Sequence, residues 1–174
     1  MKKALFIISS VLFLYSCKNG NKNEEQTTTA DTTQTQQLDP QKQLVGEWQN
    51  TVLKVTVNTA RNTDSTGIVD VNEQNWADVL KTKPIKMSFT EDGTFNTEYR
   101  NLKDEMINGG SGNWYIVNDT LVMNQKQPDI VSTFYKVAFS NEGTVELSGV
   151  VDWEGDGKVD DNYMGVLKNI STAK

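Results

Sequence analysis

The stretch DWEGDGKVDD, residues 152–161, gathers five carboxylates, two glycines and one lysine into ten positions. Calcium takes roughly six to eight hard oxygen ligands, and an acidic loop with a sharp turn can supply them. Asp152, Glu154 and Asp156 occupy alternating positions, and Gly157 permits the turn. Lys158 would offer its carbonyl, while Asp160 and Asp161 would complete the set. Five like charges in one loop repel one another unless something neutralises them, and a single lysine is too little. The same residues also suit a bare solvated turn, because turns prefer Asp and Gly. Catalysis fits less well. A glycosidase-like pair needs one acid held in an apolar cleft, and an acidic hairpin offers the opposite environment.

Two absences narrow the chemistry further. The chain has no histidine and one cysteine, Cys17. Without histidine there is no usual proton shuttle near neutral pH, and the commonest zinc and copper ligand is missing. Ser-His and Cys-His nucleophilic catalysis are excluded on this chain, so the expectation is a protein that is not an enzyme. If a metal is bound at 152–161, oxygen ligands alone point to Ca²⁺. The spacing resembles the D-x-D-x-D-G loop of EF-hand-like sites at its first, third, fifth, sixth and ninth positions, although Glu154 fills the third and Tyr163 the twelfth. The formal net charge is −6, and loss of residues 1–16 with Lys2 and Lys3 lowers it by two, to −8. Such an acidic chain repels phosphate backbones, so nucleic acid is not an expected partner.

The N-terminus reads as an address. MKKALFIISSVLFLYSC opens with two lysines and continues through an apolar run too short to cross about 30 Å of hydrocarbon, which is the pattern of a signal peptide over 1–16. LYSC, residues 14–17, resembles the lipobox of bacterial lipoproteins. That resemblance implies cleavage before Cys17, acylation of its sulfur and amino group, and attachment to a membrane through the lipid. Several acyl chains contribute about 0.8 kcal/mol per buried methylene, enough for lasting anchorage. Lys18 follows the cysteine rather than the aspartate of inner-membrane retention, so the resemblance implies an outer-membrane lipoprotein of the cell envelope, facing the periplasm or the outside. Residues 17–43 are almost free of apolar side chains and are expected to form a flexible tether. About 25 such residues span on the order of 28 Å.

From residue 44 to 174 the apolar period is two, which points to an all-β domain of antiparallel strands with one buried face. Ile85, Met87 and Phe89 alternate with Lys86, Ser88 and Thr90; Val145, Leu147 and Val151 stand against Glu146 and Ser148. Hairpin turns are marked by EDG at 91–93, ND at 118–119 and NEG at 141–143. The pattern predicts strands near 47–57, 85–90, 94–100, 112–117, 120–125, 131–140, 144–152 and 161–169. One helix is expected after the first strand, over 72–81, capped by Asn72 and presenting Trp76, Val79 and Leu80 on one face. Eight sequential antiparallel strands fit a closed up-and-down barrel, with a two-sheet β-sandwich as the alternative. LVGEW at 44–48 resembles the Gly-x-Trp opening of lipocalins, and GNWYIVNDTLVM at 112–123 resembles the mid-barrel hairpin of lipocalin-like domains on bacterial lipoproteins.

In such a barrel the interior is either filled by side chains or holds one small ligand. The aromatic candidates to line it are Trp48, Phe89, Phe95, Tyr99, Trp114, Tyr135 and Phe139. Core packing explains an inward aromatic equally well. The expectation is therefore a lipid-anchored, lipocalin-like binding protein for a small apolar ligand. Its alternative is a calcium-stiffened module with a solid barrel, whose loops recognise an envelope protein.

Overall fold

In the computed structural model, residues 39–60, 63 and 65–171 are described. The signal segment, Cys17 and most of the tether lie outside them. The first element, helix α1 (Pro40–Leu44), takes up the last residues assigned to the tether, so ordered structure starts before residue 44. Asp39 caps it by accepting the Gln41 amide at 3.0 Å, and a proline at the first helical position suits a helix start.

The strands are β1 (Gly46–Val57), β2 (Gly67–Asn72), β3 (Lys86–Phe89), β4 (Thr94–Arg100), β5 (Met106–Val117), β6 (Thr120–Gln127), β7 (Val131–Phe139), β8 (Thr144–Val151) and β9 (Asp161–Asn169). All ladders are antiparallel, each strand from β3 to β9 pairs with its sequence neighbour, and β1 pairs with both β3 and β9. The β1–β9 ladder closes a ring of eight strands and decides for a barrel against a sandwich. Closure leaves no long sheet edge in that ring.

β2 is a ninth strand that periodicity did not reveal. β3 reaches only the first part of β1, Gly46 to Gln49, and β2 pairs with the rest, from Val52 to Val57. The expected helix is shorter than 72–81. Helix α2 spans Trp76–Leu80, because the side chains of Asn72 and Asn75 instead close a turn, accepting the Gln74 amide at 2.9 Å and the Asn72 amide at 2.7 Å. With little more than one turn, α2 buries Trp76 completely and leaves Val79 more than half exposed, so the expected three-residue face reduces to Trp76 and Leu80.

The two barrel ends differ. Turns 90–93, 118–119 and 140–143 lie at one end with α1, where Leu44 is fully buried and the Trp48 indole N–H donates to the Leu44 carbonyl at 2.7 Å. Burying a leucine of this kind contributes about 2 kcal/mol. A backbone bond from Ile116 N–H to the Gln41 side-chain oxygen, at 3.3 Å, adds to the seal. The connections 101–105, 128–130 and 152–160 lie at the opposite end, as do residues 58–60 at the end of β1.

Candidate functional site

Ladder register fixes which side chains face the lumen, because paired residues share a face. Trp48 pairs with Met87, Phe89 with Phe95, Trp114 with Met123, Leu121 with Tyr135 and Leu147 with Gly165. In the half near α1 the inward set is apolar and closely packed. Trp48, Phe89, Phe95 and Trp114 are all buried, and Phe89 meets Trp114 edge-on with centroids 5.2 Å apart and planes at 71°. These four sequence candidates belong to the core of the sealed half. Phe139, also inward, is half-buried against the same core.

The half toward the loops has a different character. Here Tyr99, Gln125, Thr133 and Tyr135 face inward yet keep partial exposure, and inward Val131 is 47% exposed. This partial exposure makes the loop end, called here the mouth, the less tightly closed end of the barrel. Of the sequence candidates, only Tyr99 and Tyr135 reach this mouth. Tyr163 and Asn50 also face inward and are buried. The rings of Tyr135 and Tyr163 lie 5.2 Å apart, and Trp153 from the acidic loop stands 6.2 Å from Tyr163.

Burial holds all three phenols protonated. Tyr99 is pushed above the ordinary tyrosine range by desolvation; Tyr135 is pushed well above it by desolvation and by the neighbouring Tyr163 and Tyr99. Tyr163 is also raised well above the ordinary range by burial, with Tyr99 adding to it and a hydrogen bond from Asn50 opposing it.

Sequence reasoning missed Asn50, Thr97, Gln125, Thr133, Trp153 and Tyr163. The signal was present in the alternation of Asp161, Tyr163, Gly165 and Leu167 along β9, but only the closing ladder with β1 brings that row to Asn50. Glycines make room for these groups. A Cβ on inward Gly165 would stand 2.5 Å from the Tyr163 hydroxyl and 3.0 Å from Asn50 Nδ2, and one on Gly110 would stand 2.1 Å from Gln125 Oε1. The run NGGSG is thus strand rather than loop, and β5 begins at Met106 instead of residue 112.

The acidic loop frames one side of the mouth. Asp152 accepts the amides of Asp156 and Gly157, at 3.0 and 2.9 Å, closing the turn around Gly157, whose φ is +88°. Asp161, 1% exposed, accepts the Trp153 amide at 2.9 Å and the Asn58 amide at 3.1 Å. Asp160 accepts the Thr59 hydroxyl at 3.1 Å, and its carbonyl accepts from the Asn58 side chain. Asp156 Oδ1 accepts the Lys158 amide at 2.9 Å; its Oδ2 is buried without a hydrogen-bond donor, with the Lys158 ammonium 3.4 Å away. Asp152, Asp156, Asp160 and Asp161 are therefore already engaged with amides or a hydroxyl. Among the described residues no three carboxylates are gathered as a metal ion would need.

The fold is an all-β, eight-stranded closed antiparallel barrel with partly exposed tyrosine and polar side chains at its loop end. No family model matches the chain, and no curated protein matches it. Among solved structures it is similar to a crystal structure of an uncharacterized protein from Bacteroides eggerthii, 14% identical, aligned over 72% of this chain and 98% of that one with a TM-score of 0.42.

Proposed function

We propose that the chain is a lipid-anchored, non-enzymatic binding protein of the cell envelope, held at the outer membrane through Cys17, whose barrel takes one small ligand through the end opposite α1. The observation that carries this reading is the contrast between the two halves: a packed half sealed by α1, and a half where Tyr99, Thr133 and Tyr135 face inward and still meet solvent. The partial charge-free lining, with rings and a few polar atoms, is the composition of small-molecule sites. Titration of the chain with N-phenyl-1-naphthylamine tests it. Fluorescence should rise on binding, and Thr133→Trp, which plugs the mouth, should remove the rise; an unchanged signal in that variant refutes the lumen as the site. Anchorage is tested apart, by labelling cells with palmitate: Cys17→Ser should abolish incorporation.

One observation favours a second reading, in which calcium stiffens 152–161 so that the loops recognise an envelope protein. Asp156 Oδ2 is buried with no hydrogen-bond donor and only the Lys158 ammonium 3.4 Å away, a charge that calcium would replace. Calcium there requires Asp152 and Asp161 to exchange amide bonds for metal bonds. Calorimetric titration with Ca²⁺ decides, with Asp156→Ala as the control: neither heat nor a shift in Tm up to millimolar Ca²⁺ removes this reading.

A further inference from the structure

The outer wall of the barrel carries an apolar patch. Tyr115 on β5 pairs with Val122 on β6, and Val122 pairs with Phe134 on β7, so the three form one row across neighbouring strands. The row faces outward, because the alternate positions Trp114, Leu121 and Tyr135 face in. Tyr115 and Val117 are about half exposed and Phe134 more than half. Val122, between the two rings in the row, is buried yet stands outside the barrel core. Val150 on β8 extends the patch: the adjacent Gly149 lies against the Phe134 carbonyl, and Val150 is itself about half exposed. Contiguous apolar surface of this kind marks a contact site.

The wall is also poor in charge. Its outward positions on β5 from 113 to 117, on β6 from 120 to 124 and on β7 from 132 to 136 hold no carboxylate and one cation, Lys136. The chain as a whole carries −6, so this wall meets a negatively charged surface with less repulsion than the chain's average. Ladders on both sides of β6 satisfy its backbone, so the middle of the wall can leave water without stranding polar groups.

The occupant follows from where the chain enters the fold. Helix α1 is tied to β5 by the Ile116 N–H, which donates to Gln41 Oε1 at 3.3 Å, and Ile116 lies between Tyr115 and Val117. The described chain thus starts beside the patch, at Asp39. Residues 18–37 contain no apolar side chain larger than alanine, so that segment is unsuited to cover it. A polar segment of the length of residues 17–38 spans about 26 Å. With Cys17 in a bilayer, it holds the patch near the same surface at an effective concentration in the millimolar range, where even weak contacts are populated.

We propose that Tyr115, Val117, Val122, Phe134 and Val150 form a docking patch that lays this wall of the barrel on the phospholipid surface holding the Cys17 anchor. Tyrosine and phenylalanine rings suit the headgroup boundary, and Lys136 suits lipid phosphate. The docking rests on the anchored reading above and is independent of lumen binding.

The mature lipoprotein, reconstituted in vesicles of phosphatidylethanolamine and phosphatidylglycerol, tests it. Once Cys17 is acylated the chain has no free thiol, so Val150→Cys and Ser88→Cys each take one environment-sensitive fluorophore. Ser88 faces outward on β3, across the ring from β7. Nitroxide-bearing lipid should quench the label at 150 several-fold more than the label at 88, and Tyr115→Ser combined with Phe134→Ser should remove the difference. Should that variant fail to fold, the contrast between the two positions in the wild-type background decides by itself. Equal quenching at both positions, or a difference that survives the two serines, overturns the docking and leaves the anchor standing. Protection of the label at 150 that persists in detergent and fades on dilution assigns the patch to a second copy of the chain and overturns the docking. Uptake of the fluorophore by the wild-type chain shows Cys17 unacylated and overturns both the anchor and the docking.

Discussion

Asp161→Ala should loosen the whole loop end of the barrel. The carboxylate is buried, and its two oxygens hold the Trp153 amide at 2.9 Å and the Asn58 amide at 3.1 Å, so one side chain joins the β8–β9 loop to the connection after β1. Truncation leaves two backbone donors without acceptors. Each costs about 1–3 kcal/mol when buried, and both sites are partly open, so the lower half of that range applies: about 2–4 kcal/mol in total. For a domain of this size that corresponds to a Tm lower by roughly 6–15 °C. Asp161→Asn keeps one acceptor and turns an NH₂ toward the other amide, so it should lose about half as much. Thermal and urea unfolding measure the effect, and amide exchange locates it: the Trp153 and Asn58 amides should exchange faster while amides of β5 and β6 near α1 keep their protection. A loss below about 1 kcal/mol in Asp161→Ala, or an Asn variant as damaged as the Ala variant, refutes the claim that both oxygens hold the loops.

Three further outcomes follow from the lumen and its seal. The phenols of Tyr99, Tyr135 and Tyr163 titrate higher folded than unfolded, so their contribution is complete below about pH 10 and is lost as pH rises beyond it. Alkaline denaturation followed by circular dichroism should therefore steepen above pH 10, and Tyr135→Phe should make it shallower. Gly165→Ala puts a methyl 2.5 Å from the Tyr163 hydroxyl and 3.0 Å from Asn50 Nδ2, and should destabilise by about 1–3 kcal/mol, with a changed near-ultraviolet aromatic spectrum. Trp48→Phe removes the 2.7 Å bond to the Leu44 carbonyl and should expose the Gln41 and Ile116 region to faster exchange, at a cost of about 1–3 kcal/mol in urea unfolding.

The strands of the ring were legible wherever the alternation was carried by large residues. Ile85, Met87 and Phe89, then Phe95, then Val145, Leu147 and Val151, are all buried, and the turns at 91–93, 118–119 and 141–143 fall where Gly, Asn and Asp mark them. A period of two needs only local chain geometry, so the residues themselves display it. Phe134, which blurs the pattern of its strand, proves to be outward and 56% exposed.

Other features depended on partners distant in sequence. β2 is a strand because the short β3 leaves one edge of the second part of β1 open, the other being paired with β9, and nothing local to GIVDVN says so. The glycines of β5 read as loop, yet Gly112 is a strand position where a Cβ would meet the Asn124 carbonyl oxygen at 2.0 Å. In DWEGDGKVDD the residue types permitted a turn or a metal loop equally. Tertiary contacts decided where each carboxylate points: Asp161 finds Asn58, and Asp160 finds Thr59, about a hundred residues earlier in the chain. The candidate lining divides in the same way. Composition alone determined that histidine chemistry was closed to this chain, and alternation along the strands placed Phe89, Phe95 and Tyr99 on the inward face. Only closure of the ring decided that Trp48, Phe89, Phe95 and Trp114 would fill a sealed half while Tyr99 and Tyr135 meet solvent beside Tyr163. The height of a residue in the lumen is set by the register of every ladder around the ring, and no single strand carries that information.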